Sequence, residues 1–166
     1  MVSAKHAVVL NFPNVNLSFR DFFPEKCRVV KTMKKLFFLS LFLPLYLIAD
    51  VVSLDINEFE KSIKNRTYVV DIRTPEEWKQ TGIIENSVPL TFFNSDGSYN
   101  VSAFIQKLKK MGIDKNRPLI LVCRSATRTK MVGDFLSNKL GYKKVYQLKG
   151  GILNWIAHNK PLIRYR

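Results

Sequence analysis

From residue 51 onward the apolar positions follow two patterns that alternate along the chain. Short apolar runs, above all Leu119–Val122, suit strands buried on both faces, and stripes at i, i+3 and i+4 suit helices. The first strand is predicted over 51–54. Asp55 then caps a helix over 56–63 that turns Ile56, Phe59 and Ile63 to one face. A second strand over 68–72 leads into Arg73. Thr74 as cap, Pro75 at the first helical position and the acids Glu76 and Glu77 then start a brief helix closing near Gly82. A third strand over 87–90 precedes a polar, turn-rich stretch over 92–99. Asn100 caps a helix through Met111, with Val101, Phe104, Ile105 and Leu108 inward. A strand over 118–122, a helix over 125–140 ending at Gly141, a strand over 145–148 and a helix opened by Gly150-Gly151 and running to His158 complete the series. Strands and helices alternating with short connections indicate an α/β domain with a mostly parallel sheet.

The pattern before residue 50 is different. Residues 36–48, LFFLSLFLPLYLI, form an apolar run of 13 residues behind Met33-Lys34-Lys35 and ahead of Ala49-Asp50. The run is shorter than the roughly 20 residues of a membrane-spanning helix. Its basic start and the small residue at its end predict a secretory signal peptide over 33–49, cut after Ala49. Pro44 breaks the helix ahead of that cut. Residues 1–32 show neither period and hold Cys27, so Met33 is the expected start and 1–32 a mis-called extension. The alternative is a genuine long N-terminal region before a signal anchor. On the first reading the mature protein is 50–166, exported and periplasmic, and meets the membrane only transiently.

Charge changes this picture little. Residues 50–166 carry 20 basic and 11 acidic side chains, a formal +9 spread along the chain. The tightest cluster, Lys107, Lys109 and Lys110, lies on the wet face of a predicted helix. Such a distribution suits attraction of small anions better than a nucleic-acid surface. Without residues 1–49 the sole cysteine is Cys123, so no internal disulfide is available. One thiol and one histidine, His158, far apart in sequence, make neither a metal site nor a Cys–His dyad, and no cofactor is implied.

The candidate chemistry sits in PLILVCRSATRT, 118–129. The strand delivers Cys123 to a short loop with Arg124 beside it and Arg128 five positions on, and the loop becomes a helix. Cations and a helix N-terminus favour the nucleophilic thiolate. Placed at the end of an apolar run and next to an arginine, Cys123 is expected to be exposed and reactive. In parallel sheets ligands bind beyond the carboxyl ends of strands, where Asp71-Ile72-Arg73 also falls.

With DIRTPEEW at 71–78, Gly82-Ile83-Ile84, CRSATR at 123–128 and LKGGILNW at 148–155, the chain resembles the rhodanese-like sulfurtransferase domains over about residues 51–163. The resemblance implies an α/β fold, a five-stranded parallel sheet flanked by helices on both faces, with the cysteine loop as active site. It implies sulfur transfer through a persulfide on Cys123. The loop Arg124, Ser125, Ala126, Thr127 and Arg128 would aim its N–H groups at the sulfur. Arg124 and Arg128 would bind an anionic donor such as thiosulfate or polysulfide. An acceptor thiol or protein would then remove the sulfur. The chain departs from the family in three places: Ile83 stands where a histidine is common, Ala126 where many relatives have glycine, and the loop has no lysine.

Several residues carry a plainer alternative. Asp71 and Arg73 either support the active loop or serve structure alone, through an Arg73–Glu77 pair at i, i+4 and Asp71 bonded to backbone. Arg128 either binds the donor or faces solvent from the helix. Trp78 and Trp155 are expected in the core. A phosphatase or arsenate reductase on this architecture would need Cys-x5-Arg, and Cys123 to Arg128 is Cys-x4-Arg. A non-catalytic sulfur carrier or binding module wants the same loop and stays open beside the enzyme.

Overall fold

The computed structural model describes residues 11–12, 15–16 and 51–166. Two short strands, β1 (Asn11–Phe12) and β2 (Val15–Asn16), pair antiparallel within the stretch where no element was expected. The predicted signal segment, 33–49, and Cys27 lie outside the described residues. The chain divides into two compact units, Met1–Leu47 and Ile48–Arg166, and the second carries the predicted domain.

That unit is a five-stranded parallel sheet with five helices. Its strands are β3 (Val52–Leu54), β4 (Tyr68–Asp71), β5 (Ser87–Pro89), β6 (Leu119–Val122) and β7 (Val145–Leu148), in the order β3-β7-β6-β4-β5. The helices are α1 (Ile56–Lys64), α2 (Pro75–Thr81), α3 (Val101–Lys110), α4 (Thr127–Asn138) and α5 (Gly151–Ala157). Capping chemistry sets several starts. Asp55 with Glu58, and Thr74 with Glu77, form reciprocal capping boxes, and Asn100 accepts from the Ala103 N–H. Helix α4 begins two residues later than predicted because Ala126 adopts a left-handed conformation, φ 70° and ψ −3°, which no α-helix continues through.

All four residues of β6 are buried, and alternation divides them between two cores. On one face Ile120 and Val122 join Val69, Leu148, Ile56 and Phe59 of α1, and Ile152 and Trp155 of α5. Leu119 and Leu121 turn to the other face, and Leu108 of α3 and Val132 and Leu136 of α4 are fully buried as they are. Each such side chain contributes roughly 1.5–3 kcal/mol through removal from water. Trp78 and Trp155 are both buried, as expected. Ile105 is only half-buried.

The segment after α5 returns to the sheet's flank. Ile83 and Ile163 exchange two backbone hydrogen bonds at 2.9 Å, and the Trp155 indole N–H donates to the Pro161 carbonyl. Tyr165 packs on Trp78. The position where relatives carry histidine thus anchors the C-terminal tail.

Candidate active site

The carboxyl ends of β4 and β6 are neighbours, with Asp71 opposite Val122 in the register and the Ile72 N–H donating to the Val122 carbonyl at 2.9 Å. The two predicted chemical segments therefore meet at one edge of the sheet.

Cys123 follows β6 directly. Contrary to expectation it is buried, 1% exposed, while Arg124, Ser125 and Thr127 are exposed above it. The cause is backbone packing. The Ile152 and Leu153 N–H groups at the start of α5 donate to the Cys123 and Arg124 carbonyls, at 2.8 and 3.1 Å. Only glycine fits at 151: its φ is 63°, and a Cβ there would lie 2.6 Å from the Arg124 carbonyl carbon. Gly151 thus lets the start of α5 close on the backbone of Cys123 and Arg124.

The sulfur is nonetheless in polar company. It lies 3.5 Å from the Thr129 hydroxyl, within hydrogen-bond reach. Thr129 is itself fully buried, and its single O–H lies within reach of Gln147 Oε1 at 2.7 Å and the Ala126 carbonyl at 3.0 Å, donating to one of them at a time. Gln147 continues the chain to the Ser53 hydroxyl at 2.8 Å. A polar thread therefore runs from the thiol under the sheet to its edge strand. Neither Thr129 nor Gln147 was singled out from the sequence. Gln147 carried a signal, a polar residue between Tyr146 and Leu148 in a strand; Thr129, between Arg128 and Lys130, carried none.

Arg128 does not face solvent. It makes a two-pronged ion pair with Glu77 of α2, Nη1–Oε2 2.8 Å and Nη2–Oε1 2.6 Å, across 51 residues of sequence. The Glu77 carboxylate, and behind it the Cys123 sulfur, hold the guanidinium above its ordinary range. Partial burial pushes the Glu77 carboxyl up, but the Arg128 contacts and the Thr74 N–H outweigh it and leave it below its usual value of 4.5. The same Oε2 closes the capping box on Thr74 at 3.0 Å, so one carboxylate ties α2 to the active loop.

The expected Arg73–Glu77 pair does not form. Arg73 instead pairs with Asp71, Nη2 to Oδ2 at 2.7 Å and Nε to both oxygens, with both side chains 1% exposed. Its remaining N–H groups donate to the Thr81 hydroxyl at 2.7 Å and the Gly82 carbonyl at 2.8 Å. Asp71 and Arg73 clamp the end of β4 to the end of α2 and do not touch the loop sulfur. Ser125 and Thr127 hydroxyls lie 3.4 Å apart at the loop's rim. His158 is exposed and bonds within its own helix end.

A parallel α/β domain with a loop-borne cysteine at the strand ends defines a class of protein, and comparison with known proteins places it further. The chain belongs to the rhodanese-like domain family, whose model matches residues 55–158. It is 30% identical over 95 residues to a protein named sulfurtransferase from Allochromatium vinosum, covering 57% of this chain and 77% of that one. It is 31% identical over 107 residues to an uncharacterized Rickettsia prowazekii protein, covering 60% and 85%. Its fold matches the polysulfide-sulfur transferase homodimer of Wolinella succinogenes at a TM-score of 0.54, with 24% identity over 71% of this chain and 82% of that one.

Proposed function

We propose that this protein is an exported sulfurtransferase that moves sulfane sulfur from a small anionic donor to an acceptor through a persulfide on Cys123. The observation that carries this reading is the setting of the sulfur: at the end of β6, beside the Thr129 hydroxyl and the Arg128 guanidinium. The guanidinium carries N–H groups for a sulfur anion, whether thiolate or persulfide, and the Thr129 O–H serves one by turning from Gln147. In the first step the Cys123 thiolate attacks the donor's outer sulfur. One S–S bond forms, the donor's own S–S bond breaks, and the leaving group departs with the electron pair. An acceptor thiolate then takes the outer sulfur and restores Cys123. Splitting the transfer in two is covalent catalysis. Arg124, exposed at the rim, is placed to meet the donor anion.

The 1% exposure of Cys123 favours a second reading, a non-catalytic carrier or binding module in which the sulfur is held under the loop. Steady-state transfer from a sulfur donor to cyanide separates the two. Turnover that vanishes in Cys123→Ser is the enzyme's result; a stable persulfide without turnover is the carrier's. Neither persulfide nor turnover would sink both. Export rests on the signal-like segment before Asp50. An intact mass that begins at Asp50 is the expected result, and a retained Met1 refutes it.

A further inference from the structure

Gln147 is a buried amide in a strand that otherwise carries Val145, Tyr146 and Leu148. Its side-chain partners among the described residues are Thr129 and Ser53. Ser53 fixes the orientation from the far side. Nε2 donates to the Ser53 hydroxyl at 2.8 Å, so Oε1 is the atom turned to Thr129, 2.7 Å from its hydroxyl. An amide oxygen can only accept. The Thr129 O–H therefore has two acceptors in reach, and they are unequal. The Ala126 carbonyl, at 3.0 Å, already receives the Lys130 N–H, also at 3.0 Å. Gln147 Oε1 has no other donor among the described residues, and its residue is only 5% exposed. A buried acceptor left without a donor is costly, so the single proton of Thr129 belongs on Gln147.

With that proton committed, Thr129 Oγ presents a lone pair to the Cys123 sulfur, 3.5 Å away, and the S–H is the donor of that contact. The resting order is Cys123 S–H to Thr129, then Thr129 O–H to Gln147, among residues of which none is more than 5% exposed. A hydrogen bond made by the neutral group favours the neutral form. Ionisation reverses one link. The thiol proton leaves to solvent, the Thr129 O–H turns to the sulfur anion, and Gln147 Oε1 loses its donor. The charged side chains around the site are Arg128 and solvent-facing Lys130 on α4, Glu77 of α2 paired to Arg128, exposed Arg124 on the loop, and the Asp71–Arg73 pair at the end of β4. Strands β6 and β7 and helix α5 carry none. Arg128 favours the anion, and Gln147 opposes it.

We propose that Gln147 is a positioning residue for sulfur transfer: by taking the Thr129 proton it keeps the resting Cys123 a neutral thiol, and the nucleophilic thiolate forms as that hydroxyl turns to the sulfur. Its part in catalysis rests on the sulfur-transfer reading above. Gln147 acts through Thr129 and touches no reacting atom.

The test titrates the ultraviolet thiolate absorbance of the full chain against pH, with the curve of Cys123→Ser subtracted to remove the tyrosines and Cys27. Gln147→Leu fills the amide's place with an apolar side chain and releases only the Ser53 hydroxyl, which is exposed to water. The Thr129 O–H then has no amide to serve. The Cys123 midpoint is expected to fall by about one pH unit, which is about a tenfold larger thiolate-to-thiol ratio at a given pH. The acid limb of kcat/KM for transfer from thiosulfate to cyanide is expected to move down with it. In a Thr129→Val background, Gln147→Leu is expected to move neither. Where Gln147→Leu does not fold, Gln147→Met, unbranched and adaptable in a core, takes its place. A midpoint that stays or rises in the folded variant overturns the inference. An equal fall without the Thr129 hydroxyl also overturns it, because Gln147 would then act on the sulfur directly. A midpoint that falls as expected, in a protein that neither transfers sulfur nor forms a persulfide, would instead overturn the sulfur-transfer reading.

Discussion

Ala126 holds the backbone conformation on which the active loop turns, at φ 70°, and it does so with a Cβ that this region disfavours. The strain is local and removable. Ala126→Gly is expected to stabilise the protein by about 1 kcal/mol, read as a higher urea midpoint at unchanged slope. A lower midpoint would mean that the Cβ makes contacts worth more than the strain. The same residue explains why the loop was only half legible. The sequence places Ala126 where relatives carry glycine, which flags a positive φ, and the structure has one. It does not announce that the loop folds back over Cys123, because that depends on Gly151 approaching from another element. Thr129 escaped for a related reason. It lies one residue beyond Arg128, and only the three-dimensional meeting of α4 with β7 brings it to Gln147 and the sulfur.

Helix α2 joins the site through its two ends. Its start carries Glu77 to Arg128, and its last residue, Thr81, accepts from Arg73. The cap at Thr74 and the proline after it were readable because capping is a short-range property of sequence. The pairing of Arg73 was not. The i, i+4 rule holds between residues on one helix, and Arg73 precedes the cap, so its side chain lies off the helix surface and turns back to Asp71. Glu77 is then left for a partner far away in sequence, which spacing alone cannot identify. The buried pair makes a sharp prediction at this scale. Removing one partner strands a buried charge, so Arg73→Leu is expected to cost about 3–5 kcal/mol in urea unfolding. Adding Asp71→Leu removes the stranded charge. The double variant is therefore expected to be more stable than Arg73→Leu alone, and a plainly additive loss would show that the pair is not coupled.

Across the whole domain, alternation of strand and helix was legible because each element buries a face whose period sequence records directly. The tail at 161–165 has no period and was missed: it docks through two backbone bonds at Ile163 and ring packing at Tyr165. Charge is the property that the whole molecule shares. Residues 50–166 already carry a formal +9, so protonating carboxylates adds repulsion as well as removing partners. Glu76, Glu77 and Asp96 all titrate below their usual values in the folded state; for Glu77 the opposing push of burial is outweighed by Arg128 and the Thr74 N–H. Groups depressed in this way bind protons more readily in the unfolded chain. Their stabilisation is therefore complete above about pH 4.5 and lost as pH falls through the folded values. At the other limit burial raises Tyr142 above its usual 10.0, so its share is present below that pH and lost as pH rises through the folded value. Urea midpoints are expected to hold level between those limits and to fall on the acid side. Glu77→Gln has no carboxylate to protonate there, so its midpoint should fall less on acidification than the wild type's. Equal acid slopes in the two proteins would show that the Glu77–Arg128 pair does not couple to folding.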